Sequence, residues 1–564
     1  MLAAVAIKIG VVSVSRLCRR LLAVATIVTV AILPFAIVPG TAHAADTGAI
    51  TVDGTVATRY DAYQLFSATV VDDDDTDQKI ATDVTWANDA VRQAILPVLH
   101  DAGLDSSAST AQSAAEWMNA DGHMTTALTA KLARAIVKAG AVSVALNADT
   151  AAELPCGYWL IVADDDAIAQ GEAGTAPIMA LVGGSAVAVK PKAATPKVQK
   201  HVLEDSAAAW QKAADATVAD DLYWRLSATV PAGLSAYDTY TVRFVDTMSA
   251  GLDPSKVVAS MRVYVAAGAD GGFDAVACEG GDVSSTLAKG WTDITSQCRV
   301  SVEGNAFTVR TGDLIAALGG ADAFIAGARV VAGYNAPLNS ACNHGIAKGN
   351  PNEVYLRYPR SPFADQSGDA GFTRTPSDDA CAYTWDLALT KRGSDGDKPL
   401  AGAVLSIADD RGRTLAADGT WDAEGKATVT TGEDGRVSVS GVDSGKLEVR
   451  ELKAPKGYTA FEGTRSVTVK AEGLDVDQVA AAKPKLTITA ESPLRADSAD
   501  GSTGSLEASL INTPTGTPPS ITTGGFMPST GDMAMYAAAA AAVAGAALIV
   551  VALLVKRGGG SHKE

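Results

Sequence analysis

The sequence has few of the residue patterns that mark enzymes and metal proteins. Its six histidines are scattered without the spacing of metal ligands. No glycine-rich phosphate loop follows a strand-like segment, and no serine elbow of the hydrolase type is present. The acidic run from Asp72 to Asp75 lacks the EF-hand pattern, so we interpret it as a solvated loop. We therefore expect no metal, no cofactor and no multiple-turnover enzyme.

Basic residues are scarcer than acidic ones. The 564 residues include 46 lysines and arginines against 64 aspartates and glutamates, which gives a formal net charge of −18. Such a surface repels nucleic acid and anionic membranes and keeps a protein soluble. We therefore expect neither nucleic acid nor an anionic membrane surface as a binding partner.

Long apolar runs occur only near the two ends of the chain. Near the N terminus, a cluster of basic residues precedes the apolar stretch 21–38, which ends in the small-x-small pattern Ala42-His43-Ala44. This order is typical of a secretory signal that is removed on export. Near the C terminus, the apolar run 533–555 is followed by Lys556 and Arg557. At about 1.5 Å of rise per residue, this run reaches across a hydrocarbon core of about 30 Å.

The segment in front of the second run is Met527-Pro528-Ser529-Thr530-Gly531. Together with the run and its basic stop, it resembles the Leu-Pro-x-Thr-Gly sorting signal of Gram-positive surface proteins, with Met527 in place of leucine. The resemblance implies that a membrane sortase cuts between Thr530 and Gly531 and joins the threonine carbonyl to an amine. It also implies a secreted protein that the membrane helix holds briefly before the protein is anchored to peptidoglycan at the cell surface.

The pattern between the ends predicts three domains. Short alternating strands with Gly, Asp and Pro turns follow residue 195, for example at 240–245, and favour antiparallel β-sandwiches. The preceding part mixes strand-like pieces with helical stretches at 83–96 and 125–139. We predict a mainly β protein, with tandem β-sandwich domains of the Ig-like kind after a mixed α/β domain. The predicted ranges are a signal peptide 1–44, an N-terminal domain 45–190, a middle sandwich 191–370, a last sandwich 371–513, a linker 514–526 and a sorting signal 527–564.

Three polar residues of the last sandwich fall in phase with apolar ones. Lys391 alternates with the apolar residues of the strand that begins at Trp385. Glu451 is in phase with Leu447 and Val449, and Asn512 ends another apolar face. Since side chains of a strand alternate between faces, a lysine, a carboxyl group and a carboxamide are aimed at one core. Burying such groups singly costs free energy.

Burial suggests a reaction between these groups. Desolvation lowers the pKa of a lysine and raises that of a glutamate, so a buried pair can exist as neutral amine and protonated acid. The amine of Lys391 could then attack the carboxamide of Asn512 while Glu451 moves the proton, and an isopeptide bond would form with loss of ammonia. Fixed geometry raises the effective concentration enough for one such event without an enzyme. The alternative is an ordinary Lys391–Glu451 salt bridge beside a strand that ends in asparagine.

A resemblance favours the first alternative. The lysine strand, the stretch Glu451-Leu452-Lys453-Ala454-Pro455-Lys456-Gly457-Tyr458 and Asn512 resemble the lysine strand, E-box and terminal asparagine of the Cna B-type, or SpaA-like, domain of sortase-assembled Gram-positive pilins. The resemblance implies a Lys391–Asn512 bond with Glu451 as its catalytic acid. It implies a scaffold domain rather than a collagen-binding one.

The middle sandwich resembles the fimbrial isopeptide-forming D2 domain of the same pilins. The resemblance rests on three segments: 196–202, 240–252 and 349–356. It implies that Lys200 is the bond-forming lysine and Asp246 the catalytic acid, and both are in phase with apolar neighbours. The family's asparagine usually follows the tyrosine of the last strand, whereas Tyr358 is followed here by Pro359-Arg360-Ser361-Pro362. Asn352 is a substitute for it.

Five cysteines remain after the signal, so export permits disulfides but leaves at least one thiol unpaired within the chain. We consider pairings of Cys278 with Cys298 and of Cys342 with Cys381, among several that spacing allows. Cys156 is then the odd cysteine, and we interpret it as a buried thiol.

The N-terminal domain resembles that of backbone pilins in the segments 60–66 and 176–183. Just beyond them, Val187-Ala188-Val189-Lys190-Pro191-Lys192-Ala193 resembles a degraded pilin motif. In that family the motif lysine is the amine that a pilin sortase joins to the threonine of the next subunit. We assign this role to Lys192, with Lys190 as the alternative, although both could be ordinary linker lysines.

Two classes of function remain. In the first, the chain is the structural subunit of a cell-wall-anchored pilus that supports adhesion, and its partners are sortases, further pilins and peptidoglycan. In the second, it is a monomeric sortase-anchored adhesin or a tip or base pilin, with a host surface ligand as partner. The three-domain build favours the first, whereas the degraded pilin motif keeps the second open.

Overall fold

The computed structural model describes residues 47–73, 78–192, 195–268 and 290–516. Strands dominate these ranges, which confirms the predicted mainly β, multi-domain sandwich fold. The predicted signal peptide and the predicted sorting signal lie outside the described residues.

The N-terminal domain combines two sheets with three helices. One sheet has the order β5-β1-β8, and the other has the order β3-β2-β6-β7 with β4 beside β2. The elements are β1 (Thr47–Val52), β2 (Arg59–Asp72), β3 (Lys79–Trp86), α1 (Asp89–Asp101), α2 (Ala111–Asn119), α3 (Thr126–Lys138), β4 (Val144–Asn147), β5 (Ala152–Pro155), β6 (Gly157–Ala163), β7 (Ile178–Val182) and β8 (Val187–Val189).

The helices of this domain correct part of the sequence prediction. The helix predicted at 125–139 is confirmed as α3, but the one predicted at 83–96 begins only at Asp89. Residues 79–86 instead pair with β2 as a strand. Asn88 then starts the helix, because its side chain accepts a hydrogen bond from the amide of Val91 and satisfies one of the free amides of the first turn.

The middle domain is a sandwich of two sheets around one apolar core, and all their described strand pairs are antiparallel except β11 with β21. The first sheet has the order β10-β9-β12-β18-β14-β15, and the second has the order β11-β21-β19-β13-β17-β16 with β20 beside β19. The elements are β9 (Val198–Glu204), β10 (Ala209–Gln211), β11 (Ala213–Asp215), β12 (Tyr223–Thr229), β13 (Arg243–Met248), α4 (Val257–Ser260), β14 (Arg262–Ala266), β15 (Trp291–Asp293), β16 (Arg299–Glu303), β17 (Ala306–Arg310), α5 (Leu314–Ala317), β18 (Arg329–Asn335), β19 (Asn350–Pro359), β20 (Phe372–Arg374) and β21 (Asp378–Tyr383).

The last domain is a second sandwich with its own core. One sheet has the order β27-β22-β33-β29 with β32 beside β33, and the other has the order β25-β24-β23-β28-β30-β31 with β26 beside β23. The elements are β22 (Trp385–Gly393), β23 (Val404–Ala408), β24 (Thr414–Leu415), β25 (Trp421–Asp422), β26 (Val429–Thr430), β27 (Arg436–Val442), β28 (Gly445–Lys453), β29 (Tyr458–Thr459), β30 (Thr464–Glu472), β31 (Lys485–Ala490), β32 (Leu494–Asp500) and β33 (Ser505–Pro514).

The boundary between the two sandwiches lies later than residue 370. The strands β20 and β21 both pair with β19 and therefore belong to the middle domain. The last domain begins only after Tyr383, where the chain passes directly into β22. The strand predicted at 240–245 forms at Arg243–Met248, and the amide of Val242 just before it donates to the hydroxyl of Thr311.

Candidate functional sites

The three polar residues predicted to face the core of the last domain do so. Lys391 lies on β22 and Asn512 on β33, and these neighbouring strands run parallel, with Lys391 opposite Leu510 and Gly393 opposite Asn512. Glu451 lies on β28, in the facing sheet, and reaches the other two across the core. The period-two prediction of their burial is confirmed, since all three are less than a tenth exposed.

The carboxylate of Glu451 lies between the lysine and the asparagine. Its Oε1 is 3.6 Å from Nζ of Lys391. Nδ2 of Asn512 donates to both oxygens of Glu451, at 2.9 and 3.1 Å. The lysine also donates to the carbonyl oxygen of Leu510 at 3.2 Å, and the amide of Phe461 donates to Oε2 of Glu451 at 3.0 Å. Amine, acid and carboxamide are therefore held together in one buried site.

Burial changes the protonation of this lysine. Desolvation lowers the pKa of Lys391 to about 8, although the nearby charge of Glu451 acts in the opposite direction. A neutral, nucleophilic amine is thus more accessible here than on the protein surface. Oδ1 of Asn512 is buried and accepts no hydrogen bond from the residues that the structure describes. That oxygen is where negative charge would develop if the amine attacked the carboxamide.

The middle domain contains a second buried lysine site. Lys200 lies on β9 of the first sheet, while Asp246 on β13 and Asn352 on β19 belong to the second sheet. Asn352 is opposite Met248, two residues along β13 from Asp246, so both side chains point to the same face. Lys200, Asp246 and Asn352 are all fully buried.

A tyrosine hydroxyl lies at the centre of this second site. Nζ of Lys200 makes a very short ion pair with Oδ2 of Asp246 and donates to the hydroxyl of Tyr334 at 2.9 Å. The same hydroxyl accepts from Nδ2 of Asn352 at 2.9 Å and donates to Oδ2 of Asp246 at 3.0 Å. The lysine, the acid and the asparagine therefore all bind one oxygen atom.

The electrostatics of the second site resemble those of the first. Burial lowers the pKa of Lys200 to about 8, against the opposing charge of Asp246. Burial also raises the pKa of Asp246, although the ion pair with Lys200 opposes that shift. Oδ1 of Asp246 and Oδ1 of Asn352 are buried and find no hydrogen-bond partner within the described part of the chain. Both residues therefore have a free oxygen that a single proton could satisfy.

A charged pair holds the backbone of Lys200. Oδ2 of Asp378 accepts from the amide of Lys200 at 2.6 Å, and Nζ of Lys212 donates to the carbonyl oxygen of Lys200 at 2.8 Å. Lys212 and Asp378 also form a very short ion pair with each other. The main chain on both sides of the reactive side chain is thus fixed by groups from β21 and the loop before β11.

Sequence reasoning had found Lys200 and Asp246 but not Tyr334. A tyrosine in an apolar strand is usually a core residue, and the described part of β18 is buried without alternation, so the sequence offered no signal for its role. Asn352 did carry a signal, because it is in phase with the buried residues Val354, Leu356 and Tyr358. The structure places Asn352 and Lys200 on the same Tyr334 hydroxyl, whereas the hydroxyl of Tyr358 donates to the carbonyl oxygen of Gly171 in the N-terminal domain.

The predicted Cys342–Cys381 disulfide is not formed in the structure. Both residues are buried free thiols, and burial raises the pKa of each to about 11. Their sulfur atoms face different groups, since that of Cys342 lies 3.6 Å from Nε2 of His344 and that of Cys381 lies 3.7 Å from the carbonyl oxygen of Ala382. Cys298 is also a free thiol, and Cys278 lies outside the described residues. Cys156 is a buried thiol, as predicted.

The two candidate pilin-motif lysines are both exposed. Lys190 and Lys192 follow β8, which pairs in parallel with β1 at the edge of a three-stranded sheet. The sorting motif 527–531 and the apolar run 533–555 lie outside the described residues. Within the described ranges, none of the helices combines the length and apolarity that a membrane crossing needs.

Comparison with known proteins identifies the last domain. Residues 386–483 match the SpaA family, which is described as a prealbumin-like fold domain. The last sandwich therefore resembles a SpaA-type prealbumin-like domain, and it is called the SpaA-type domain for this similarity. The matched range contains Lys391 and Glu451, and the predicted resemblance to this domain type is confirmed. Asn512 lies beyond it.

The chain is also similar in sequence to a surface protein. The chain is 30% identical over 143 residues to the trypsin-resistant surface T6 protein of Streptococcus pyogenes serotype M6. The aligned part covers 24% of this chain and about a quarter of the length of that relative.

Similar solved structures include two pilins. The T6 backbone pilin of serotype M6 Streptococcus pyogenes, described as a modular three-domain structure, is 16% identical, with a TM-score of 0.45 over 84% of this chain and 100% of that one. The full-length major pilin SpaD from Corynebacterium diphtheriae is 15% identical, with a TM-score of 0.40 over 83% of this chain and 98% of that one.

Proposed function

We propose that the chain is the structural subunit of a covalently polymerised pilus that is anchored to the cell wall of a Gram-positive bacterium. Two tandem sandwiches each bury a lysine beside an acid, with an asparagine joined to that pair through Glu451 in one site and through Tyr334 in the other, and this repeated constellation is the main support for the proposal. The homology to a surface protein and the SpaA-type domain agree with it. In this role the protein supports adhesion and has no multiple-turnover activity.

The internal bonds would form between Lys391 and Asn512 and between Lys200 and Asn352. In each site the neutral amine attacks Cγ of the asparagine, and the carbonyl electron pair moves to Oδ1, which takes a proton from the acid. The surplus proton on Nζ passes to Nδ2, which leaves as ammonia as the adduct collapses, and the restored carbonyl group returns its proton to Glu451 or Asp246. Each site reacts once, because the lysine and the asparagine are both consumed.

Polymerisation would join Thr530 of one subunit, which lies outside the described residues, to a lysine of the next subunit. Sortase would cleave after Thr530 and transfer its carbonyl to the amine of Lys192 on the next subunit. Lys192 is exposed and lies at the end of the N-terminal domain, where an enzyme can reach it. Its partners would be sortases, other copies of this chain or other pilins, and finally peptidoglycan.

Denaturing electrophoresis of cell-wall extracts tests the polymer. The native strain is compared with strains that carry Lys192→Ala or Lys190→Ala. Lys190→Ala is the matched control, because Lys190 is also an exposed lysine just after β8. We expect a high-mass ladder that collapses to monomer only with Lys192→Ala. A single monomer band in all three strains would overturn polymerisation and support a monomeric adhesin or minor pilin instead. A ladder lost only with Lys190→Ala would move the joint to Lys190.

A further inference from the structure

The hydroxyl of Tyr334 has no spare hydrogen-bonding capacity in the second site. A phenol oxygen can donate one hydrogen bond and accept two. Here it donates to Asp246 and accepts from Lys200 and Asn352, at distances of 2.9 to 3.0 Å. The oxygen lies between the attacking nitrogen of Lys200 and the leaving nitrogen of Asn352.

The site in the SpaA-type domain is built differently. There the leaving nitrogen of Asn512 donates directly to the carboxylate of Glu451, and Lys391 donates to a main-chain carbonyl group. Glu451 can therefore reach both nitrogens. In the second site, the described contacts of Nδ2 of Asn352 include Tyr334 but not Asp246.

We propose that Tyr334 is a catalytic residue of the second site and relays the proton from the attacking amine of Lys200 to the leaving amide nitrogen of Asn352. This inference rests on the proposed Lys200–Asn352 bond. It assigns to the two sites different routes for the same proton.

The relay balances at every step. Attack of the neutral amine on Cγ of Asn352 leaves a positive charge on Nζ and a negative charge on Oδ1. The carboxyl group of Asp246 gives its proton to Oδ1. Tyr334 accepts the proton from Nζ as it gives its own proton to Nδ2. The C–N bond to Nδ2 then breaks, ammonia leaves, and Oδ1 returns its proton to Asp246. The tyrosine ends as it began.

The surroundings keep Tyr334 neutral and fixed. The residue is fully buried, and its ring packs edge-on against Phe307, with 4.8 Å between the ring centres. On β18 it is opposite Trp224 of β12. Burial raises its pKa well above the usual value, so it acts as a hydroxyl that exchanges protons rather than as a phenolate.

The test replaces Tyr334 by phenylalanine in the full mature chain. Peptide mapping by mass spectrometry follows the cross-linked Lys200–Asn352 and Lys391–Asn512 peptides over time after synthesis. Tyr264→Phe is the matched control, because it removes a hydroxyl from an equally buried tyrosine on β14, the strand beside β18. The Lys391–Asn512 bond in the same molecule is a second internal control.

We expect Tyr334→Phe to slow formation of the Lys200–Asn352 bond at least a hundredfold, consistent with the contribution of general acid–base catalysis. The Lys391–Asn512 bond and both bonds of the Tyr264→Phe chain should form as in the wild type. A Lys200–Asn352 bond that forms at the wild-type rate in Tyr334→Phe would overturn the relay. If the wild-type chain itself lacks that bond, the proposed function of the second site fails, which is a different result.

A second variant covers the case in which Tyr334→Phe does not fold. A fluorinated tyrosine at position 334 keeps the ring and the hydroxyl but makes the hydroxyl more acidic. We expect the rate of bond formation to change at least threefold and its pH profile to shift. An unchanged rate and profile would contradict the relay.

Discussion

The two buried lysine sites use the same functional groups but connect different parts of their domains. In the SpaA-type domain, Lys391 and Asn512 lie on adjacent parallel strands of one sheet, and the acid comes from the facing sheet. In the middle domain, Lys200 lies in one sheet, while Asp246 and Asn352 lie in the other. A bond would therefore join two neighbouring strands in the first case and two facing sheets in the second. The chemistry follows the contact of amine, acid and carboxamide, not a fixed strand arrangement.

The largest effect that separates the sites is expected from Asp246→Asn. The change removes the acid and leaves the fully buried Lys200 without its counter-charge. Without the cross-link between Lys200 and Asn352, the unfolded chain gains entropy, which lowers the free energy of unfolding by about 5 kcal/mol. The unpaired buried charge lowers it by about 3 kcal/mol more. Guanidinium unfolding and peptide mapping of the mature chain measure both effects. Asp322→Asn, an exposed change in the same domain, should alter neither. A normal Lys200–Asn352 cross-link in Asp246→Asn would refute the role of this acid.

A smaller loss is expected from Glu451→Gln. The Lys391–Asn512 bond should not form. Because the unfolded chain then has more entropy, the free energy of unfolding falls by about 5 kcal/mol. The lysine keeps its hydrogen bond to Leu510, so its burial is partly compensated. The matched control is Glu448→Gln on the same strand, where the carboxylate pairs with Lys446 at the surface. Intact mass should show retention of one ammonia in the first variant only, and equal masses of the two variants would contradict the assignment.

The next prediction concerns the junction between the two domains, where β11 pairs with β21 and Trp385 donates to Asp215 at 2.6 Å. Burial and neighbouring carboxylates raise the pKa of Glu204 there to about 7. A raised carboxyl pKa adds stability that is complete below the unfolded pKa of about 4.5 and is lost as pH rises through 7. The charged groups that act on Glu204 at this junction include Asp205, Asp215 and Asp443, and Arg411 pairs with Asp205.

Glu204→Gln should therefore raise stability at pH 8 by about 2 kcal/mol relative to the wild type and change little at pH 4.5. Chemical unfolding at the two pH values measures the difference. Glu303→Gln, at an exposed position of β16, is the control and should show no such dependence. The same pH dependence in both variants would mean that Glu204 is not its origin. Glu204 lies on the strand of Lys200, so the effect should appear in the unfolding of the middle domain.

The smallest effect is expected from Lys212→Met. This change removes the hydrogen bond to the carbonyl oxygen of Lys200, so the reactive lysine is less well positioned and the second bond should form about tenfold more slowly. The main chain of Lys391 is held instead by Gly435 and Leu400 through backbone hydrogen bonds, so the first bond should be unaffected. Lys197→Met, an exposed change just before β9, is the control. Equal rates in the two variants would show that the Lys212–Asp378 pair does not position Lys200.

Period-two alternation predicted most of the two sites. Lys200, Asp246, Lys391, Glu451 and Asn512 all lie on strands whose apolar neighbours fix the buried face, and each is buried as the pattern requires. Such a pattern says which face a residue is on, but it does not say which strands are neighbours. The sequence therefore could not decide between Asn352 and a residue after Tyr358, because that depends on the pairing of β19 with β13.

Other features depended on contacts that no local pattern contains. Tyr334 is one of several buried tyrosines, and only the three-dimensional arrangement separates it from Tyr240 and Tyr264. The predicted domain boundary lies too early, because only the pairing of β21 with β11 and β19 assigns this strand to the middle sandwich. The start of α1 was missed because β3 and the helix follow one another with little between them.

The parallel pairing of β22 with β33 has a mechanical consequence. These are the first and last full strands of the SpaA-type domain, and Asn512 lies two residues from the end of β33. If the chain is a pilus subunit, as proposed, and the Lys391–Asn512 bond forms, tension along the pilus would enter this domain at Lys391 and leave at Asn512 through one covalent bond. The intervening chain would bear no load and could not be drawn out. The SpaA-type domain would then behave under tension as an inextensible link, whatever the stability of its sandwich.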